Sequence, residues 1–205
     1  ARGFVVGLTP DPTILNNAHH FSDPIIEVGE FAHSFTGLVP NTTYYVKAYA
    51  SNGNGVKYSK AMLIKTYKAI ITDIQGNQYF TTQIGEQEWM AQNLNTTQFN
   101  NSDEMATQAD TSRNFYTFNP DPGVNAVNHG KLYSYSTILD ARGICPTGFR
   151  LPYIEDWELV INTLGGQSIA GGKMKTIGTL GSGSWEAPNE GATNESGFSA
   201  VPAGF

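Results

Sequence analysis

A single cysteine, Cys145, in 205 residues excludes any disulfide within the sequence, and no pair of His or Cys has the spacing of a zinc site. Charge is scarce as well: 15% of the residues are Asp, Glu, Lys or Arg, with a net charge of -6. The twelve basic residues are scattered and form no stripe, so nucleic acid is not an expected partner. No apolar run approaches the roughly 18 residues that would span a bilayer, and no transmembrane segment is expected. A leader is lacking too. The opening "ARGFVVG" reads as a strand, which puts the natural start of an exported protein upstream. What the sequence does have is 22 glycines, ten tyrosines and eleven phenylalanines among many Asn and Thr. That mixture fits β-rich, loop-rich extracellular material better than a helical cytosolic enzyme.

Residues 1–68 read as β-structure. "GFVVGL" is a short apolar strand, ended by the two prolines of "TPDPT". The stretch from Phe31 to Thr66 reads as three strands joined by tight turns, with "SNGNG" at 51–55 as a hairpin turn. Tyr44, Val46, Ala48 and Ala50 alternate with Tyr45, Lys47 and Tyr49, which predicts one apolar face on a core and one amphipathic face. The adjacent pair His19–His20 reads as a turn. In "LVPNTTYYVKAYA", Leu38, Pro40, Thr42, Tyr44, Val46, Ala48 and Ala50 have a spacing that resembles the E–F corner of fibronectin type III domains. The resemblance implies a partial, Ig-like β-sandwich with Tyr44 as the corner tyrosine, its hydroxyl bonded back to the backbone. Such domains run to roughly 100 residues, so the first two strands are expected outside this segment.

From Ala69 the pattern changes. "IITDIQGNQYFTTQIGEQEWMAQNLN" reads as three strands separated by Gly-Asn and Gly-Glu turns, the last ending at Leu94. Residues 95–130 are polar with scattered aromatics, a long loop of the kind that carries function. A helix is predicted from near Tyr133 to Gly143. A clearer one lies in "LPYIEDWELVINTLGG", where Trp157, Val160, Ile161 and Leu164 share a face. Glu155 and Asp156 suit its first turn and Gly165 its end, although Tyr153 cannot cap it through a short hydroxyl. The remainder is mostly loop.

The blocks "DIQGNQYFTTQIGEQEWMAQNLN", "GKLYSY", "CPTGFRLPYIEDWELV", "AGGKMK" and "GATNESGFSAVPAGF" occur in that order. Together they resemble the Fibrobacter succinogenes major paralogous domain, found on exported proteins of Bacteroidetes and related bacteria, and they assign residues 69–205 to it. The resemblance implies an α+β, C-type-lectin-like fold with much loop, related to the formylglycine-generating-enzyme domain. It also implies a second cysteine in the last strand of the domain. The partner of Cys145 is then expected in sequence outside residues 1–205, with the domain lacking its C-terminal part here. A buried free thiol is the alternative. A catalytic thiol is not expected, because only His129 is near it in sequence.

Candidate site residues are few, and none is catalytic. Trp185, flanked by Ser184 and Glu186, is the aromatic best suited to meet a ligand. Asp103, Asp110, Phe115, Tyr116 and Asp121 are the loop residues that could line a binding surface. With Glu104, the loop acids could bind calcium through oxygen ligands at irregular spacing, but they have no EF-hand spacing and a solvated acidic loop is the expected account of them. "EAPN" at 186–189 resembles the calcium and sugar motif of C-type lectins, yet Ala187 separates Glu186 from Pro188 and breaks its geometry. Glu155, Asp156 and Glu158 read as a solvated helix face, and the glycines of "IGTLGSGS" as a flexible loop. Tyr44, Trp89, Cys145 and Trp157 are expected to be structural.

These readings lead to an expectation of a non-enzymatic binding or adhesion module, without a cofactor, at the cell surface or outside a bacterium. It would sit on a secreted or outer-membrane-anchored protein. Its partner would be a glycan, another cell's surface protein, or its own secretion or assembly machinery. A structural subunit of an extracellular assembly is the alternative, and a formylglycine-generator-like enzyme a further one.

Overall fold

The structure, a computed structural model, describes residues 1–24, 28–106, 129–178 and 185–202, and the backbone of 115–117. It is rich in antiparallel β-sheet, with few helices among the described residues. The chain divides into two compact units, Ala1–Thr66 and Tyr67–Phe205.

The first unit is one antiparallel sheet of β1 (Arg2–Gly7), β2 (His19–Asp23), β3 (Thr43–Asn52), β4 (Gly55–Tyr58) and β5 (Met62–Lys65). Its order is β2-β1-β3-β4, with β5 also on β3. Thr43–Val46 pair with β5 and Tyr49–Asn52 with β4, so one long strand serves two short partners on the same edge. The His19–His20 pair is not a turn but the start of β2, where His20 lies opposite Val5 and bonds the Tyr49 hydroxyl at 2.8 Å.

The predicted division of β3 into one core face and one amphipathic face is not what forms. Tyr44 is buried, but so are Lys47 and Tyr49 on the other face, and Ala50 is exposed. Both faces of the sheet are covered. On one, Phe31 stacks on Phe4 and His33 on Phe21. On the other, Asp11 pairs with the Lys47 ammonium and the Ile14 amide donates to the Tyr58 hydroxyl. Lys47 buries its stem beneath this loop and keeps its charge on a carboxylate, as a long cationic side chain can.

In the second unit β6 (Ala69–Thr72), β7 (Gln78–Ile84) and β8 (Gln87–Met90) form an antiparallel meander. β9 (Phe115–Thr117) pairs with β10 (Lys131–Tyr133). The helices are α1 (Tyr135–Ile138), α2 (Ile154–Thr163) and α3 (Gln167–Met174).

The helix predicted from Tyr133 to Gly143 is thus a single turn. β10 claims residues up to Tyr133, and the Ser134 side chain caps the turn by accepting from the Thr137 amide. α2 follows its apolar period: Val160 and Leu164 are buried with Ile84 and Ala170, and Trp89, Ile161, Met174 and Phe198 pack around them. A second core joins Phe99, Met105 and Ile144, bordered by Cys145. α3 runs through Gly171 and Gly172, residues that disfavour helix by roughly 1 kcal/mol each. Packing explains Gly172: a Cβ there would meet the Gly191 carbonyl oxygen at 2.3 Å.

Candidate functional site

A cleft of about 950 Å³ opens in the second unit. One wall is β8 and the chain that follows it, from Gln87 through Asn95. The turn after Cys145, the Arg150–Pro152 stretch and residues 198–201 line it as well. The strand period brings Trp89 to the same face as Gln87, toward α2. There Trp89 meets Trp157 at 4.6 Å between ring centroids, and Phe198 lies 5.9 Å from Trp89 and 6.0 Å from Trp157, edge-on to both. Such tilted and edge-on aromatic packing adds about 0.5–1.5 kcal/mol per pair beyond area burial.

The rim has one polar hub. Asp156 accepts from both terminal nitrogens of Arg150, at 2.7 and 2.8 Å, from the Tyr153 amide at 2.7 Å and from the Gln87 side chain at 3.1 Å. The bond from the Tyr153 amide satisfies a donor at the start of α2, so the helix is capped by its own third residue although the Tyr153 side chain cannot do so. The expectation of a solvated acidic face fails for Asp156, because these four donors draw its carboxylate inward; Glu155 and Glu158 are exposed. Hydrogen bonds from Arg150 and then from the Tyr153 amide hold Asp156 below the usual carboxylate range, and the same pair raises Arg150.

Cys145 also borders the cleft, half-buried and unpaired. Burial pushes its thiol above the ordinary value. Its carbonyl accepts from the Asn100 side chain at 3.0 Å, which fixes the turn that follows.

Trp185 lies outside the cleft, in an adjoining hollow of about 560 Å³ that shares Trp157 and Phe198 with it. Its indole N–H donates to the Ala200 carbonyl at 3.0 Å, and the Lys175 ammonium sits 5.5 Å from the ring. In the neighbouring "EAPN" stretch the Ala187–Pro188 peptide is cis. The Asn189 side-chain Nδ2 donates to the Thr176 and Gly178 carbonyls, at 3.0 and 2.9 Å, and Glu186 is exposed.

Asp103 is not in the cleft. It accepts from Asn101 at 2.8 Å and from Arg142 at 2.9 Å, and Arg142 also pairs with Asp140 and lies over the Phe99 ring. Phe115 and Tyr116 belong to β9, opposite Tyr133 and Leu132. Asp110 and Asp121 lie outside the described residues. Among the described residues no group of three or more His, Cys, Asp or Glu is arranged to hold a metal ion.

Sequence reasoning passed over Gln87, Arg150 and Phe198 as site residues. The one available signal was the Arg-Leu-Pro step ahead of an acidic helix start, which sets a guanidinium beside the first turn.

Compared with known proteins, the chain matches the family model described as the Fibrobacter succinogenes major domain over residues 82–205. No curated protein and no solved structure matches.

Proposed function

The chain belongs to the Fibrobacter succinogenes major domain family, and from that premise we propose that it is a non-enzymatic binding module of an exported bacterial protein, displayed at the cell surface or released. The ligand is a glycan or a surface protein, and the cleft of the second unit receives it. The observation that carries this reading is the cleft itself: its volume, aromatic floor and rigid polar rim suit recognition. Its titratable groups support binding over catalysis. Hydrogen bonds from Arg150 lower the Asp156 pKa and leave a weakly basic carboxylate, where a base near neutral pH needs a raised one, and burial pushes the Cys145 thiol toward its protonated form, the reverse of what a nucleophile needs.

The finer fold assignment belongs to the same proposal. In the first unit, the Val39 amide donates to the buried Tyr44 hydroxyl at 3.0 Å, five residues back along the chain, which supports a partial fibronectin type III sandwich. In the second, a three-stranded meander, short helices and long loops support a C-type-lectin-like fold. The first unit then acts as a spacer and the second as the recognition module. No described helix is long and apolar enough to cross a membrane.

The test is a screen of the whole chain against immobilised glycans and surface proteins, run beside turnover assays on the same preparations. Saturable binding without turnover supports the module. Turnover without binding overturns it.

A further inference from the structure

The hairpin that joins β3 to β4 holds the two Asn-Gly steps of the sequence, Asn52-Gly53 and Asn54-Gly55, and all four residues are exposed. Such a step pairs an electrophile, the side-chain Cγ, with a nucleophile, the next backbone nitrogen, which no Cβ shields. The fold treats the two steps differently. At the first, the Asn54 amide donates to Asn52 Oδ1 at 2.9 Å. That bond polarises the side-chain carbonyl and sits where negative charge gathers when a nucleophile adds to Cγ. Among the described residues the Gly53 amide has no acceptor, so its proton is open to solvent. At the second step neither feature is present. No described residue donates to the Asn54 side chain. The Gly55 amide is committed to the sheet. The Ser59 amide donates to the Ala48 carbonyl at 2.9 Å, while the Ser51 amide donates away from β4, to the Ala1 carbonyl at 2.7 Å. Opposed residues of an antiparallel pair alternate between exchanging backbone bonds and not, so Asn52 and Gly55 exchange them.

We infer that Asn52 is a self-modifying site, converting through a cyclic imide with Gly53 to aspartate and isoaspartate, and that Asn54 is retained. The Gly53 nitrogen bonds to the Asn52 Cγ, and its proton passes through water to the departing nitrogen. The bond from Cγ to Nδ2 breaks, and that nitrogen leaves as ammonia. Water then opens either carbonyl of the imide. One water is consumed, one ammonia is released, and nothing is oxidised or reduced. Ring closure bends Asn52 out of the extended backbone, a local fraying that the last residue of a strand allows. The product carries one more negative charge at the hairpin tip, and isoaspartate adds a methylene to the chain at the end of β3. Neither the cleft nor a bound ligand takes part.

The test holds the 205-residue chain folded at mildly alkaline pH, beside a sample in denaturant. Both are digested at intervals and mapped by mass, which reads the exchange of NH for O at each asparagine; fragmentation tells isoaspartate from aspartate. In the folded chain Asn52 converts faster than Asn54 by roughly fivefold or more, the worth of a hydrogen bond or two. In denaturant the two rates converge, because the ladder and the Asn54 bond are gone. Gly53→Ala slows conversion of Asn52 severalfold in the folded chain. The fold accepts that change, since an added methyl group meets nothing within 4 Å and Gly53, unlike Gly55, has no positive φ. Equal melting temperatures of variant and parent verify this. Asn54 converting as fast as Asn52 in the folded chain would overturn the inference. So would an Asn52 that stays intact when folded and converts only in denaturant, or a Gly53→Ala chain that converts at the parental rate. Aspartate formed without isoaspartate would mean direct hydrolysis and would overturn the imide route.

Discussion

Asp156 and Arg150 meet side-on, two nitrogens to two oxygens at 2.7 and 2.8 Å, and this pair ties the turn after Cys145 to the first turn of α2 at the mouth of the cleft. Two parallel bonds fix orientation as well as distance, which a lysine could not do.

The pH dependence follows from that pair. Because the folded protein lowers the Asp156 pKa, its contribution to stability is present above the unfolded value near 3.9 and is lost as pH falls through the lower folded value. Thermal melting of Asp156→Asn against the parent should show a gap at pH 7 that narrows below about pH 4. An equal gap at both pH values would contradict it.

The two faces of α2, extended by its C-cap residue Leu164, differ in what they can lose. Leu164→Ala, in the core with Val160 and Ile84, should cost about 2–5 kcal/mol. Leu159→Ala, at a position 56% exposed, should stay within about 0.5 kcal/mol. Urea unfolding of both variants measures the contrast.

At Gly172 helix propensity and packing have opposite signs. Alanine favours helix by roughly 1 kcal/mol, but its Cβ would lie 2.3 Å from the Gly191 carbonyl oxygen. Backbone cannot yield as a flexible side-chain tip can, so Gly172→Ala should be destabilising. A variant that melts higher than the parent would show that the two segments separate easily.

In the first unit, Tyr44→Phe removes the oxygen that accepts from the Val39 amide. A loss of about 1 kcal/mol is expected in denaturant unfolding, with the ring packing unchanged.

Cys145 should alkylate slowly at neutral pH, with a rate that climbs only above the ordinary thiol value, since burial disfavours its thiolate. Iodoacetamide labelling followed by mass across a pH series reads this directly.

What the sequence made legible was periodic. The helix face of Trp157, Val160, Ile161 and Leu164 and the three strands from Ala69 are local patterns, and local patterns survive folding, although the third strand ends at Met90 and not at Leu94. β2 was hidden because two adjacent histidines and a phenylalanine lack clear alternation. α3 was hidden because Gly171 and Gly172 oppose it in isolation and are accommodated only by packing on the 191–196 loop. Lys47 was assigned to an amphipathic face, since nothing in β3 itself announces that Asp11 will cover it. The cleft is the least legible feature of all. Trp89, Trp157 and Phe198 come together from three distant segments, and Asp156 gains its role from Gln87 and Arg150, neither of which is marked by residue type.

The most direct test of the binding role is tryptophan fluorescence of the chain titrated with candidate surface glycans and peptides, comparing the parent with Leu151→Asp. Trp89 and Trp157 lie in the cleft and should report an occupant. A saturable change in the parent that weakens by about tenfold or more in the variant is the expected result. A saturable change that the variant leaves untouched would place recognition elsewhere and contradict the role assigned to the cleft.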